Sequence, residues 1–257
     1  MTDRLQIEFL GTGTSAGVPQ LLCGCGVCRS TDPRDKRLRS SAIVRYKGTD
    51  ILIDCGPDFR TQMLRATDSH LDALLLTHIH YDHVGGIDDL RSYSVKRPFP
   101  VFARHDVIRD LHTRLPYCFS HDSPSWVPMF EMHEIDERPF SFRGITIEPI
   151  PVMHYKLPIF GYRIGPLAYI TDCKTIEDRQ VDKLRGVPLL VVNALCRHEH
   201  ISHMNLEQAL RLVGRINPGR AFLIHMSHDI GFHADYDSSS ILPGNVRLAY
   251  DGLVVEE

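Results

Sequence analysis

Hydrophobic and polar positions alternate in short runs along most of the chain. Residues 5–10 alternate with period two and predict a strand running into the glycine-containing turn Gly11-Thr12-Gly13-Thr14. Residues 41–46 and 50–53 are two β-rich runs around Lys47-Gly48-Thr49 and predict a hairpin. Residues 72–77 are almost continuously apolar, as a strand buried on both faces is, and lead straight into His78. Further strands are predicted over 145–151, 160–164, 167–171, 189–193 and 220–224. Residues 246–250 and 253–255 flank Asp251-Gly252, a hairpin signal. Helices are predicted near 59–66, over 84–92 and over 205–216. In the last, Leu206, Ala209, Leu210 and Val213 share a face, Asn205 stands at the N-cap and Gln208 three residues on. Residues 115–144, rich in Pro, aromatic residues and His, show no clear period and read as a lid or irregular excursion.

Interspersed strands and helices, without a Gly/Ser linker or internal repeat, predict one α/β domain over residues 1–257. A composition of 43% hydrophobic and 24% charged residues is that of a globular chain, and excludes a disordered chain or a collagen-like repeat. Lys plus Arg number 29 against 32 for Asp plus Glu, a net charge of −3, which does not mark a general binder of nucleic acid or membrane surfaces. No apolar run approaches the ~18 residues of a membrane span, and the start lacks a basic segment followed by an apolar one. Seven cysteines in a chain long enough to bury its own core favour reduced thiols and a cytoplasmic setting. The unusual count is fifteen histidines, and their placement carries the chemistry.

His78, His80, Asp82 and His83 fall within six residues, immediately after the buried strand. Extended backbone places His78 and His80 on one side, where they can share a metal. A turn or helix start then carries Asp82 and His83 toward a second one. Neutral imidazole and carboxylate suit zinc and other borderline divalent ions. Four ligands do not fill two sites. His154, Asp172 and His225 each follow a predicted strand and repeat the placement of His78.

The segment His78-Ile79-His80-Tyr81-Asp82-His83 resembles the HxHxDH motif of the metallo-β-lactamase superfamily. The resemblance covers nearly the whole chain and implies a four-layer αββα metallo-β-lactamase sandwich with its site at one edge. It implies that His78, His80 and His154 bind a first metal, and that Asp82, His83 and His225 bind a second. Asp172 would bridge the two.

A second cluster, Cys23, Cys25 and Cys28, supplies three thiols in six residues, with glycines that permit a tight wrap. Zinc favours four ligands, so one more is needed, and His225-Met226-Ser227-His228 offers it. A CxCxxC segment after the first strand and a later HxSH segment resemble the superfamily branch of the phosphoribosyl 1,2-cyclic phosphate phosphodiesterases, from the carbon–phosphorus lyase pathway. That resemblance implies a structural zinc on Cys23, Cys25, Cys28 and His228, a zinc knuckle at about residues 23–28 bracing the active-site loop. Cys55, Cys118, Cys173 and Cys196 are expected to be unligated. His154-Tyr155-Lys156 followed by Phe160-Gly161-Tyr162 matches the branch's HxK…FGY stretch. His203 sits where the branch has a histidine implicated as general acid. Asn193 departs from it, since the branch can have Asp at that strand end.

The expected activity is that of a metal-dependent phosphodiesterase acting on a small, perhaps cyclic, phosphodiester. A hydroxide held between two catalytic metals, Zn or Mn, attacks phosphorus, with Asp172 and His203 as catalytic residues. Lys156 is a candidate contact for a second phosphate. The alternatives are an RNA-processing nuclease, a lactone or thioester hydrolase with the same metal centre, and a zinc-stabilised binding protein without activity. A nuclease would need a basic RNA-gripping arm, for which no insertion is visible, so nucleic acid is the lesser expectation as partner. A membrane is not expected, and a homodimer is expected only on base rate.

Overall fold

The computed structural model describes residues 4–119, 127–237 and 241–257. Its strands, in chain order, are β1 (Gln6–Gly11), β2 (Ser41–Tyr46), β3 (Thr49–Ile53), β4 (Ala73–Leu75), β5 (Phe99–Ala103), β6 (Phe130–Glu134), β7 (Phe140–Phe142), β8 (Ile145–His154), β9 (Leu157–Ile164), β10 (Leu167–Ile170), β11 (Leu189–Asn193), β12 (Arg220–Ile224), β13 (Val246–Leu248) and β14 (Val254–Glu256). The α-helices are α1 (Gly26–Arg29), α2 (Phe59–Met63), α3 (Tyr81–Val84), α4 (His105–Arg114), α5 (Asp178–Leu184), α6 (Leu206–Ile216) and α7 (Ala234–Asp237). The described strands form two sheets, ordered β14-β1-β2-β3-β4-β5-β6 and β13-β12-β11-β10-β9-β8-β7.

Period-two alternation builds the layers. Ile51 and Ile53 of β3 and Leu189 and Val191 of β11 turn inward to one apolar layer shared by both sheets, with Phe9, Phe160 and Tyr162. The alternate residue Leu52 joins a second core with Phe59 and Met63 of α2 and Val107 and Leu111 of α4. Leu190 and Val192 join a third with Val181 and Leu184 of α5 and Ala209, Leu212 and Val213 of α6. Three cores between four layers make an αββα sandwich. Helix α6 starts at a capping box between Asn205 and Gln208 and ends at Asn217 in the left-handed conformation.

Strands β3 to β6 run parallel in the first sheet, and β10 to β13 run parallel in the second. The carboxyl ends of parallel strands are where open α/β sheets place their ligands, and here both sheets contribute such ends.

The run predicted as a helix over 84–92 instead starts at the last residue of α3, breaks at Gly85-Gly86 and continues as a 3-10 helix, Ile87–Tyr93. The hairpin expected around Asp251-Gly252 does not form. β13 pairs with β12 in the second sheet and β14 with β1 in the first, so this turn joins the sheets. The Asp251 carboxylate accepts from the backbone N–H groups of Thr12 and Leu38, which pins the turn between them. The irregular reading of 115–144 gives way to β6 and β7 where residues are described, and residues 120–126 of that stretch lie outside the described residues.

Candidate metal centre

Every residue of the His/Asp constellation sits at or just beyond a strand end. Thr77 and His78 follow β4, and His80 occupies the N-cap of α3, whose first turn carries Asp82 and His83. His154 ends β8, and the two-residue turn Tyr155-Lys156 returns the chain into β9. Asp172 follows β10 and His225 follows β12. Asp54, Asp172 and His225 hold φ of 60°, 55° and 57°. A non-glycine residue in this left-handed region costs about 1–3 kcal/mol and persists only where its surroundings over-determine it.

The side chains converge. His78 Nε2 lies 3.1 Å from His80 Nδ1, and one ligand atom from each of His78, His80 and His154 falls within 4.8 Å of the others. Asp82, His83, Asp172 and His225 form a second such group, entirely buried. Asp172 stands at its centre: Oδ2 is 3.2 Å from His83 Nε2, and Oδ1 is 3.2 Å from His225 Nε2. A third grouping of His154, Asp172 and His203 connects the two. The Nδ1 of His203 is 3.7 Å from Asp172 Oδ1, without a hydrogen bond.

The donor set fits a cation on its own chemistry. Asp54, fully buried, accepts from His83 Nδ1 at 2.7 Å and so directs the Nε2 side of the ring at its neighbours. That Nε2 lies 3.1 Å from Asp82 Oδ2, as well as close to Asp172, yet makes no hydrogen bond. Burial disfavours a charged His83, but the carboxylates of Asp172, Asp82 and Asp54 outweigh it and push the ring well above its usual range. Positive charge is demanded between these oxygens, and a divalent ion supplies it in place of a proton. Burial holds His78 and His225 below the usual histidine range, in the neutral form that ligates. Burial pushes Asp172 up, but the charged His83 ring 3.2 Å away prevails and holds it well below the usual carboxylate range.

A separate cluster joins Cys23, Cys25, Cys28 and His228. The three sulfurs lie 3.2, 3.2 and 3.6 Å from His228 Nδ1. Cys25 is the N-cap of α1, and the Cys28 N–H donates to its sulfur. That bond, with His228, lowers the Cys25 thiol to about 6, while burial raises Cys28 to about 11. Three thiols and an imidazole at this spacing match the tetrahedral preference of zinc.

The model of the beta-lactamase superfamily domain matches residues 49–226. The chain belongs to the beta-lactamase superfamily. Hydrolase chemistry and metal binding come with that membership, and the four layers are its sandwich. In structure the chain is similar to a diphosphatase from the PhnP family, with a TM-score of 0.90 and 35% identity over 99% of this chain and 97% of the other. It shares its fold with Zn2+-bound PqqB from Methylobacterium extorquens, at a TM-score of 0.79 and 18% identity over 97% and 99% of the two chains. In sequence it is 44% identical to an octanoyltransferase of Porphyromonas gingivalis over 95% of this chain, which spans only 50% of that relative's length. It is 23% identical to a ribonuclease Z of Mycobacterium sp. (strain KMS), over 96% of this chain and 94% of the relative.

Three contributors to this superfamily site escape a reading of the motif alone. Asp54 orients His83 and also accepts from the N–H and hydroxyl of Thr77. Thr77 in turn lies 2.9 Å from His78 Nδ1, and the Thr14 hydroxyl lies 3.2 Å from His225 Nε2. The signal for Asp54 was available, since Ile53-Asp54 repeats the strand-end placement of the ligands. Lys156 sits on the exposed turn beside His154, its ammonium 5.3 Å from the Tyr155 ring centroid. Cys55, Cys118, Cys173 and Cys196 lie outside the four ligand groups of the described residues. Among those residues no helix is long and apolar enough to cross a membrane.

Proposed function

We propose that this chain is a binuclear metal-dependent phosphodiesterase acting on a small phosphodiester, a single domain over residues 1–257. The observation that carries the reading is Asp172, whose two carboxylate oxygens face different histidines and which shares a second ligand group with His154 and His203. In this reading His78, His80 and His154 hold one ion, Asp82, His83 and His225 hold the other, and Asp172 serves both. Bound there, divalent ions supply Lewis-acid polarisation of phosphoryl oxygens and a lowered pKa for water. Zinc and manganese both accept this N/O donor set. The knuckle of Cys23, Cys25, Cys28 and His228 is assigned a structural zinc. Similarity to a PhnP-family diphosphatase supports phosphorus as the reacting centre.

His203 is assigned the proton for the leaving oxygen. Burial pushes it down to about 3, so the free site keeps its ring uncharged. An anionic phosphate beside the ring acts in the opposite direction, toward the protonated form that donation requires. Lys156, on the exposed turn, is assigned a second phosphate of the substrate.

The test is hydrolysis of an aryl phosphodiester by metal-replete protein, with Asp172→Ala as control. Activity that vanishes in the variant is expected, and a metal-replete wild type without activity refutes the reading. A second reading is hydrolysis of a thioester by the same centre, for which an octanoyl thioester is the probe, since this chain spans half of an octanoyltransferase relative. Release of free thiol from that ester, faster than phosphodiester cleavage and lost in Asp172→Ala, would select it.

A further inference from the structure

Asn193 ends β11, the strand between the one that leads to Asp172 and the one that leads to His225. Its side chain is wholly buried and makes two reciprocal hydrogen bonds to one residue. The Cys173 N–H donates to Asn193 Oδ1 at 2.8 Å, and Asn193 Nδ2 donates to the Cys173 carbonyl at 3.0 Å. The backbone fixes which way round the amide sits, because only this orientation sets donor against acceptor at both ends. The Met204 N–H donates to the same carbonyl at 3.0 Å.

The Cys173 N–H belongs to the peptide joining it to Asp172, so holding that group restricts ψ of Asp172, whose φ of 55° is already unfavourable. On the other side Asn193 is registered against Ile224, and the Ala194 N–H donates to the Ile224 carbonyl at 2.9 Å, one residue before His225. One residue therefore references both strand ends whose side chains meet 3.2 Å apart in the metal centre. We infer that Asn193 is a positioning residue, which fixes Asp172 through the Cys173 backbone and thereby sets the metal affinity of the cluster. Leucine, of similar volume, and alanine remove both bonds, whereas aspartate keeps both as the neutral acid, whose O–H can donate to the Cys173 carbonyl.

The inference rests on the proposed role of Asp172 as a ligand, and not on the identity of the substrate. It is tested with Zn2+ alone, by competition against a chromophoric chelator, on folded wild type, Asn193→Leu and Asn193→Ala. The unfolding temperature of the stripped proteins is measured in parallel. Expected is a 10- to 100-fold weaker Zn2+ affinity at the His/Asp cluster in both variants, the range seen when the partners of metal ligands are removed. Folded variants that lose stability but bind Zn2+ as wild type does would overturn it, leaving Asn193 a packing residue. Should Asn193→Leu not fold, Asn193→Ala, which also lacks both bonds, gives the same comparison. Weakened Zn2+ binding in the variants, alongside a metal-replete wild type that cleaves no phosphodiester, would sink the proposed reaction and leave this assignment standing.

Discussion

Replacing Asp54 by Asn changes one atom in a wholly buried side chain, and its effect can be worked from three bonds. Asp54 accepts from the Thr77 N–H at 2.8 Å, the Thr77 hydroxyl at 2.8 Å and His83 Nδ1 at 2.7 Å. In Asp54→Asn the amide nitrogen takes the place of the oxygen facing His83. That ring must then accept at Nδ1, which shifts its proton to Nε2 and blocks the lone pair aimed at the centre. Loss of such a partner weakens metal binding about 10- to 100-fold, or about 1.4–2.7 kcal/mol. With metal in excess, the stabilisation it confers falls by the same amount. At about 2–4 °C per kcal/mol, the metal-induced rise in Tm shrinks by roughly 3–10 °C. The stripped protein loses something separate. Burial raises the Asp54 carboxyl, but Asp54 is one member of a buried, hydrogen-bonded pair with His83, and removing one member costs stability, so stripped Asp54→Asn should melt below stripped wild type. Thermal melts of both proteins, with and without added Zn2+, read the two effects separately. An unchanged metal-induced rise, or a deficit confined to the stripped protein, would refute the tautomer argument.

Other consequences follow from the same geometry. His203→Ala should keep its metal content while slowing esters with poor leaving groups at least tenfold more than activated aryl esters, in steady-state kinetics; equal losses on both would remove it as the acid. In metal-stripped protein Cys25, at about 6, is largely thiolate at neutral pH while Cys28, at about 11, is not, so iodoacetamide should label Cys25 first by mass spectrometry. Added Zn2+ should protect it, and Cys25→Ser should bind one ion fewer. Burial raises the Asp251 carboxyl to about 6, so between about pH 4 and 6 the folded chain holds a proton that the unfolded chain has released. Its contribution therefore declines as pH rises through that window, by about 3 kcal/mol in all, from about two pKa units at 1.36 kcal/mol each. Urea titrations of wild type and Asp251→Asn at pH 4.5 and 6.5 should show the difference between the two proteins changing in that direction; a constant difference contradicts it.

Strands with one face in each core announced themselves by alternation, and α6 by its capping residues, because both signals are local. β6 and β7 did not. They lie at sheet edges, and their partly exposed faces leave little contrast between hydrophobic and polar positions. The Asp251-Gly252 turn was legible as a turn, but the partners of its flanking strands are set by distant N–H groups on Thr12 and Leu38, which no local pattern encodes. Motif spacing brought the histidines into view, and the structure gathers them with His154, Asp172 and His225. Asp54 stayed hidden because a single carboxylate at a strand end is an ordinary sight until its partner is known. Asn193 was visible as an amide where the resembling branch can have an acid, and only the Cys173 backbone explains what the amide does.

His225 reaches the His/Asp centre and His228, three residues later, reaches the thiols. A segment this short cannot shift at one end without disturbing the other. With an ion at each end, the factor by which the first raises affinity for the second must equal the factor by which the second raises affinity for the first. Under the proposed metal assignment, metal content would then be a cooperative property of the whole molecule, and a chelator that strips the thiols should weaken Zn2+ binding at the carboxylates by that same factor.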